Sequence, residues 1–550
     1  MYHLLISIIF SLSYIPSSNG LSYPEWEGGR SEIEMEDVND DGNIDLLTIG
    51  DHGSPYVNTQ EHGIMVYFGD GQGSWSNYMN GDFGYGGIAI GDVNNDGYKD
   101  AGYSMHHNYS SNDFGDQLTE VALGDGTGMN WIPWDDNLAN EGQDWGMFGT
   151  DFADINNDGL LDIGANSFGA DDGVHLYINN SDGTWTHTFG FLGGNSTMDF
   201  VFGDVNNDGN MDFAVAHQYG TVYFGDGAGN FTGADGNLPP GGSLGRPGVS
   251  LGDVDNDGGM DLAFINTDDG IEVWCYDENQ DLWVDYSGNL PSSGNYQATQ
   301  LFDMNMDGYI DLCVYGNGIF ELYLGDGSGN WTYETGFTLP SPGDLSAFRT
   351  GRDADHNGFP DIVIVADSGS WWSYINKVKF FKEASTPSQL EIKPVYPKGG
   401  ENLYAGSVRF IDWISAVPSG QGYVKLEISL SGPSGPWYLI ADNLPDNGRY
   451  QWLIPSNYSS NSCYIKYTLK VQNDSAVAIT PNAFSIIPVS VKENYRIPEI
   501  ARFKGKFIFD KTGRILRFKS PSSLKPGVYF VMDKSKIKKI FLIRNQEVIW

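Results

Sequence analysis

The sequence predicts an all-β chain, with a long array of four-stranded repeats followed by a β-sandwich and a small strand-rich tail. A nine-residue acidic motif recurs seven times, beginning at Asp37, Asp92, Asp154, Asp204, Asp253, Asp303 and Asp353. Successive copies start 55, 62, 50, 49, 50 and 50 residues apart, a period that suits β-propeller blades or kelch-like units and not helical solenoids. After each copy comes a short strand-like run, as in Asp45–Gly50, Asp212–Ala216 and Asp361–Val365.

The fourth copy reads Asp204-Val205-Asn206-Asn207-Asp208-Gly209-Asn210-Met211-Asp212. Oxygen-bearing side chains at alternate residues of a tight turn converge on one point, which is what a hard cation such as Ca²⁺ needs from its six to eight oxygen ligands. Gly at position 6 permits the left-handed bend that turns the next carbonyl inward. Positions 1, 3, 5, 7 and 9, the seventh through its carbonyl, are therefore the candidate ligands. They are Asp37, Asn39, Asp41, Asn43 and Asp45 in the first copy, Asp92, Asn94, Asp96, Tyr98 and Asp100 in the second, and Asp154, Asn156, Asp158, Leu160 and Asp162 in the third. The fourth offers Asp204, Asn206, Asp208, Asn210 and Asp212, and the fifth Asp253, Asp255, Asp257, Gly259 and Asp261. Asp303, Asn305, Asp307, Tyr309 and Asp311 serve the sixth, and Asp353, Asp355, Asn357, Phe359 and Asp361 the seventh. Up to seven Ca²⁺ ions are expected, with the seventh site weakest because it has Asn357 at position 5 and Pro360 at position 8. An EF-hand would carry a bidentate Glu at position 12 between helices; Thr48 stands there in the first copy, and strands follow. Plain polar turns between strands would not require a fixed Gly seven times over.

Within a period, a short strand such as Gly87–Ile90 enters the loop and a second leaves it. A third, such as Thr221–Phe224, runs into a Gly-Asp-Gly turn that recurs at Gly69, Gly124, Gly225 and Gly325. An aromatic residue (Trp75, Trp131, Phe231, Trp331) then begins a fourth strand, giving a blade. The fifth repeat has Asp277-Glu278-Asn279 instead of that turn. These residues resemble the FG-GAP and VCBS repeat families, the calcium-loop propellers also found at the head of integrin α-subunits. The resemblance implies a seven-bladed propeller over residues 21–387 with every calcium loop on one face. The opposite face would carry the loops between second and third strands and between blades.

The formal charge of −42 is unevenly placed, since residues 492–550 hold 15 of the 30 Lys and Arg but only 5 of the 72 acidic residues. Loop ligands account for much of the acidity, and such a surface repels phosphate, so nucleic acid is not an expected partner. Residues 1–20 read as a secretory signal peptide, with an apolar run from Leu4 to Ile15, too short to span a bilayer. No other stretch could span, so no transmembrane segment is expected. Cys275, Cys313 and Cys463 are too few for a disulfide framework; they read as buried thiols, although Cys275 and Cys313 fall in successive repeats and could pair.

Residues 388–489 alternate with period two in short strands such as Val408–Trp413 and Val424–Ser429, fitting an immunoglobulin-like β-sandwich. In the tail, residues 490–550, the order Asp510-Lys511-Thr512-Gly513-Arg514, Pro526-Gly527-Val528-Tyr529-Phe530-Val531 and Lys538-Lys539-Ile540 is similar to the C-terminal sorting domain of type IX secretion substrates. Such a domain is an address that places a protein in the medium or on the cell surface; a basic β domain docking on the acidic propeller is the other reading.

The longer first and second periods, of 55 and 62 residues, put extra residues on the face away from calcium, where His106-His107-Asn108-Tyr109 and Trp134-Asp135-Asp136-Asn137, with Asp144-Trp145, fall. Aromatic, amide and carboxylate groups there suit a carbohydrate, whereas loops packing on themselves would have no ligand. Neither a Gly-x-Ser-x-Gly elbow, a His-Glu-x-x-His helix nor a phosphate loop is present. The expectation is a non-enzymatic, secreted or cell-surface calcium-binding propeller that binds an extracellular glycan or protein in adhesion or recognition. The alternatives are a structural surface or matrix component without a discrete ligand, and a polysaccharide lyase or hydrolase whose groups converge on the propeller axis. Oligomeric state is not legible.

Overall fold

Seven four-stranded antiparallel sheets follow one another in the computed structural model. It describes residues 11–21, 32–50, 63–80, 86–105, 116–139, 147–167, 173–192, 196–217, 220–240, 248–339, 345–367 and 376–488, and, beyond these, five strands near the C-terminus. No helix occurs among the described residues, so none is long and apolar enough to cross a membrane.

The first blade comprises Ile33–Glu36, Asp45–Gly50, Gly63–Gly69 and Trp75–Asn80, in that order. The first strand of each blade meets the first strands of both neighbours, which closes an inner ring. Second strands such as Asp261–Ile265 and Asp311–Gly316 are buried along their whole length, because blades cover both their faces. This explains their unbroken apolar runs. Leu47, Ile49 and Val66 of the first blade thus share a core with Ile88, Ala101 and Tyr103 of the second. Outer strands are more open, as in Trp331–Thr338, where only Trp331 is buried and Thr332 and Tyr333 are exposed.

The seventh blade takes its outer strand from the start of the chain. Leu345–Thr350, Ile362–Asp367 and Asn376–Glu383 are completed by Tyr14–Pro16, with Tyr14 opposite Glu383 and Pro16 opposite Phe381. Leu12 is buried among Phe320, Phe348 and Phe381, and Leu21 joins the core between the last and first blades. Residues 12–21 thus pack with the propeller across the domain boundary expected at residue 20, while residues 1–10 lie outside the described residues.

Blades are stitched at their rims. The indole N–H groups of Trp75, Trp185, Trp283 and Trp331 donate to the carbonyls of Ser17, Trp134, Ala234 and Tyr286, at 2.8–2.9 Å, each just past the preceding blade's outer strand. Asn237 adds two hydrogen bonds to the Trp283 backbone, Nδ2 to its carbonyl at 2.8 Å and Oδ1 from its N–H at 2.9 Å. Asn237→Ala should cost about 1–3 kcal/mol, read as a lower urea midpoint with unchanged slope; an unaltered midpoint would show that water replaces both bonds.

Residues 391–487 form a sandwich. One sheet contains Glu391–Tyr396, Val408–Ala416 and Arg449–Leu453. The other runs in the order Asn402–Tyr404, Phe484–Ile487, Ser460–Val471, Tyr423–Ser429, Tyr438–Pro445, with Asp474–Ile479 paired to the long Ser460–Val471 strand. Trp413, Trp452, Leu426, Ile465 and Tyr467 fill its core. Residues 490–550 make a separate unit with five antiparallel strands in the order Ile515–Leu516, Phe507–Asp510, Gly527–Asp533, Lys536–Ile543, Gln546–Ile549. All three cysteines are buried free thiols, so Cys275 and Cys313 are not paired.

Candidate functional site

Each acidic motif forms the same loop between a first and a second strand. In every copy the position-1 carboxylate accepts the backbone N–H groups of positions 5 and 6; for Asp37 these bonds are 3.1 and 2.8 Å and for Asp353 3.1 and 2.7 Å. Position 6 is Gly with φ between 87° and 101°, and position 4 is also left-handed, from Asn207 at 51° to Asn256 at 60°. That second bend was not anticipated. It explains why Asp40, Asn95, Asn157, Asn207 and Asn256 stand there, since Asn and Asp tolerate this region best after Gly. The Gly-Asp-Gly turn has its own reason for glycine: a Cβ at Gly69, Gly124, Gly225 or Gly325 would lie 2.2 Å from the carbonyl oxygen of loop position 8.

The position-9 aspartates are the most deeply held. Asp45, Asp100, Asp162, Asp212, Asp311 and Asp361 are fully buried and Asp261 nearly so. One oxygen accepts the N–H of position 2, as from Val205 to Asp212 at 2.9 Å, and the other the third strand, as from Gly225 at 2.7 Å. The carboxylate thus joins loop, second strand and third strand.

The loops gather negative charge with little to balance it. Asp253, Asp255 and Asp257 bring oxygens within 4.8 Å of one another, as do Asp353, Asp355 and Asp361, and Asp255 and Asp261 lie equally near the Cys275 thiol. Oδ1 of Asp355 is buried without a hydrogen-bond partner. Burial, reinforced by neighbouring carboxylates, pushes Asp37 and Asp212 up to about 7 and Asp45, Asp100 and Asp311 up to about 8. This donor set, all oxygen apart from one thiol, fits a hard divalent cation, which side chains at positions 1, 3, 5 and 9 would hold. The seventh loop is the most altered: Lys382 Nζ lies 3.0 Å from Asp355 Oδ2, and the Asn357 amide donates to the Glu383 carbonyl at 2.7 Å.

These shifts set a pH dependence for the metal-free protein. A carboxyl group that is raised in the folded state, against about 4 when unfolded, contributes stability that is complete below the unfolded value. That contribution is lost as pH rises through the folded value. In chelator, melting temperature should fall from about pH 5 to about pH 8.5; a rise across that window in calorimetry would contradict the buried, uncompensated carboxylates.

The sandwich rests on all seven loops. Asn447 Nδ2 donates to Asp37 Oδ2 at 3.2 Å, Gln451 bonds both the N–H and the carbonyl of Asp92 at 3.0 and 2.7 Å, and the Val408 N–H donates to Asp154 Oδ2 at 2.8 Å. Arg409 Nη2 donates to the Gly209 carbonyl at 2.6 Å, Gly400 lies against Gly258, Lys398 Nζ donates to the Gly308 carbonyl at 2.9 Å, and the Val417 N–H to the His356 carbonyl at 2.8 Å. The sequence did not mark these as loop contacts, because Asn447, Gln451, Arg409 and Lys398 are single polar residues on ordinary strands or turns, and Val408, Val417 and Gly400 act through their backbone.

Charged residues also converge on the inner ring. Arg349 of the seventh blade reaches Glu34 Oε1 at 2.9 Å with Nε and Asp199 Oδ1 of the fourth at 3.8 Å with Nη1. Glu32 Oε2 accepts the N–H groups of Ile88 and Thr150, both at 3.1 Å, tying the first blade to the second and third. Burial pushes Asp151 and Asp199 up to about 6. Towards the sandwich, Glu36 meets Lys99 at 3.0 Å, Arg352 at 3.4 Å and Arg449 at 3.9 Å. Although burial alone would raise it, these cations hold Glu36 below the usual carboxylate range. The alternation Glu32-Ile33-Glu34-Met35-Glu36 was the available signal: a strand with one charged face at the centre of a ring.

Of the residues expected on the other face, His106, His107, Asn108, Tyr109, Asp144 and Trp145 lie outside the described residues. Trp134 packs edge-on to Trp185, with ring centroids 5.9 Å apart, and Asp136 bridges to Thr184. This half of the long connection therefore forms a seam between blades.

The repeats define an all-β chain with FG-GAP-like repeats, and the family comparison finds such repeats in it. Residues 154–215, 253–314 and 303–364 match the FG-GAP-like repeat. No curated protein matches the chain. Among 196 similar solved chains is an Agrocybe aegerita lectin described as recognising non-reducing terminal N-acetylglucosamine, at 16% identity and a TM-score of 0.38, covering 57% of this chain and 82% of the lectin. Another is PorZ, a bacterial surface component of the type IX secretion system of Porphyromonas gingivalis, at 14% identity and a TM-score of 0.37, covering 82% of this chain. The chain spans 59% of the PorZ chain.

Proposed function

We propose that the protein is an exported or cell-surface propeller whose loops hold calcium as a structural ion, and which binds an extracellular glycan or protein through the face opposite its sandwich. The observation that carries this reading is the sandwich seated on all seven loops. The loop face is committed to the protein's own second domain, so the loops act as mounts. The metal supplies only positive charge. The chain's residues do the rest: the position-1 and position-9 carboxylates fasten three strands of each blade, and Asn447, Gln451, Val408 and Arg409 lock the sandwich above them.

Recognition in place of catalysis is supported by the inner ring, where the carboxylates engage Arg349 or backbone N–H groups of neighbouring blades. Export is supported by the apolar N-terminal run and by a tail similar to a sorting domain. A glycan array probed with calcium-loaded protein tests the reading. Selective binding to a related set of sugars supports a glycan ligand; if neither sugars nor extracellular proteins are retained, the protein is a structural surface component.

A further inference from the structure

We infer that the fifth loop is a thiol-containing metal site, in which Cys275 joins Asp255 and Asp261 and selects a thiophilic divalent cation such as Zn²⁺ over Ca²⁺. The inference rests on the reading above that the loops hold structural cations, and it names the loop that departs from calcium. It starts from one position that every blade shares. In each third strand one residue stands opposite the position-9 aspartate, immediately after the residue paired with position 10. In chain order these are Phe68, Leu123, Ile178, Phe224, Cys275, Leu324 and Lys382. Five of the seven are apolar and offer no ligand atom. The fifth and seventh carry a functional group, and the same two loops have Asp in place of Asn at position 3, Asp255 and Asp355. In the seventh loop the added group is a fixed cation, since Lys382 Nζ lies 3.0 Å from Asp355 Oδ2. In the fifth it is a thiol, which brings no charge to balance Asp255 but binds metal.

The sulfur is placed to do so. Ligand atoms of Asp255, Asp261 and Cys275 all lie within 4.8 Å of one another. Zn²⁺ binds thiolate sulfur at about 2.3 Å and carboxylate oxygen at about 2.0–2.2 Å, so small side-chain rotations bring the three onto one centre. In the other six loops the position-9 carboxylate accepts a backbone N–H from the third strand, as Asp100 does from Gly124 and Asp361 from Glu383, both at 2.9 Å. Among the described residues, the backbone donors to Asp261 are those of its own loop, Val254 at 2.7 Å and Asp255 at 3.3 Å, both to Oδ2, and its third-strand partner is the Cys275 thiol. Cys275 is 2% exposed, yet it lines a cleft of about 420 Å³ with Asp255, Asp257 and Tyr286. The cleft also takes in Asp277-Glu278-Asn279, which stand where other blades turn through Gly-Asp-Gly, and it gives an ion a route to the sulfur. Ca²⁺ takes oxygen ligands, whereas thiolate selects Zn²⁺ and softer ions. On binding, the thiol proton leaves to solvent as the sulfur–metal bond forms; nothing is oxidised or reduced.

Cadmium is the probe, because its bond to thiolate gives a near-ultraviolet charge-transfer band that carboxylates and Ca²⁺ do not. The full chain, loaded with Ca²⁺, should take up one Cd²⁺ with that band, and native mass should show one Cd²⁺ beside bound Ca²⁺. Zn²⁺ should erase the band at stoichiometric amounts, and Ca²⁺ should not erase it even in large excess. Cys275→Ser should abolish the band and Cys313→Ser should leave it. Asp255→Asn restores the position-3 residue of the five loops backed by apolar side chains. It should keep calcium and weaken Cd²⁺ by about tenfold or more, since even residues behind a metal ligand are worth about 10–100-fold in affinity. A missing band, a band that survives Cys275→Ser, or one that Ca²⁺ displaces as readily as Zn²⁺ does would overturn the inference. Bound Ca²⁺ without the band leaves the calcium reading standing and this one fallen; the band without any bound Ca²⁺ does the opposite.

Discussion

Chelating calcium from the loaded protein should lower its melting temperature by more than about 10 °C and free the sandwich from the propeller. A ligand that binds only the folded state adds about 2.7 kcal/mol per site at a hundredfold excess over its dissociation constant, and the chain writes its loop seven times. Without the ion, buried carboxylates such as Asp45 and Asp311 must hold protons or repel. The same loops carry the sandwich, so its docking weakens as they loosen. Scattering in chelator should show a larger radius of gyration for residues 12–489, reversed by Ca²⁺ and not by Mg²⁺, whose smaller octahedral shell suits these loops poorly. An unchanged melt in chelator would sink the calcium reading. A lowered melt with unchanged dimensions would keep the ion and remove the coupling.

Glu36→Ala should be among the most damaging single substitutions, at about 3–5 kcal/mol. Its carboxylate faces Lys99, Arg352 and Arg449, drawn from the second blade, the seventh blade and the sandwich. Removing it takes the ion-pair partner from Lys99 and leaves Arg449 and Arg352 with Asp412 as a close counter-charge, at 2.7 and 3.4 Å. Breaking a buried network from one side costs more than the network itself contributes, because the abandoned charges stay desolvated. Urea unfolding of calcium-loaded protein measures this. A loss below about 1 kcal/mol would mean that water reaches the cluster and that it behaves as a surface pair.

The architecture was legible where local chemistry repeats. The loops could be placed to the residue because Gly42, Gly97 and their counterparts obey a backbone requirement that does not depend on tertiary context. The second strands could be placed because burial on both faces leaves an unbroken apolar run. What stayed hidden was non-local. Arg349 meets Glu34 across 315 residues and Val408 meets Asp154 across 254; no spacing rule links such positions. The ring-closing strand was hidden for another reason: Leu12, Tyr14 and Ile15 continue the apolar run that begins at Leu4, so hydropathy gives no boundary before the strand.

A ring fastened by its own first strand also has a timetable. Tyr14–Pro16 finds its partner only when Asn376–Glu383 has been made, so for most of synthesis the growing chain carries one edge that cannot yet be paired. Blades one to six can form as neighbours emerge, but closure joins segments at the far end of the sequence range and is the slow, loop-entropy-limited event. The sandwich, encoded next, bonds loops on both sides of that seam, Asn447 to Asp37 of the first blade and Val417 to His356 of the seventh, and so spans the join it follows.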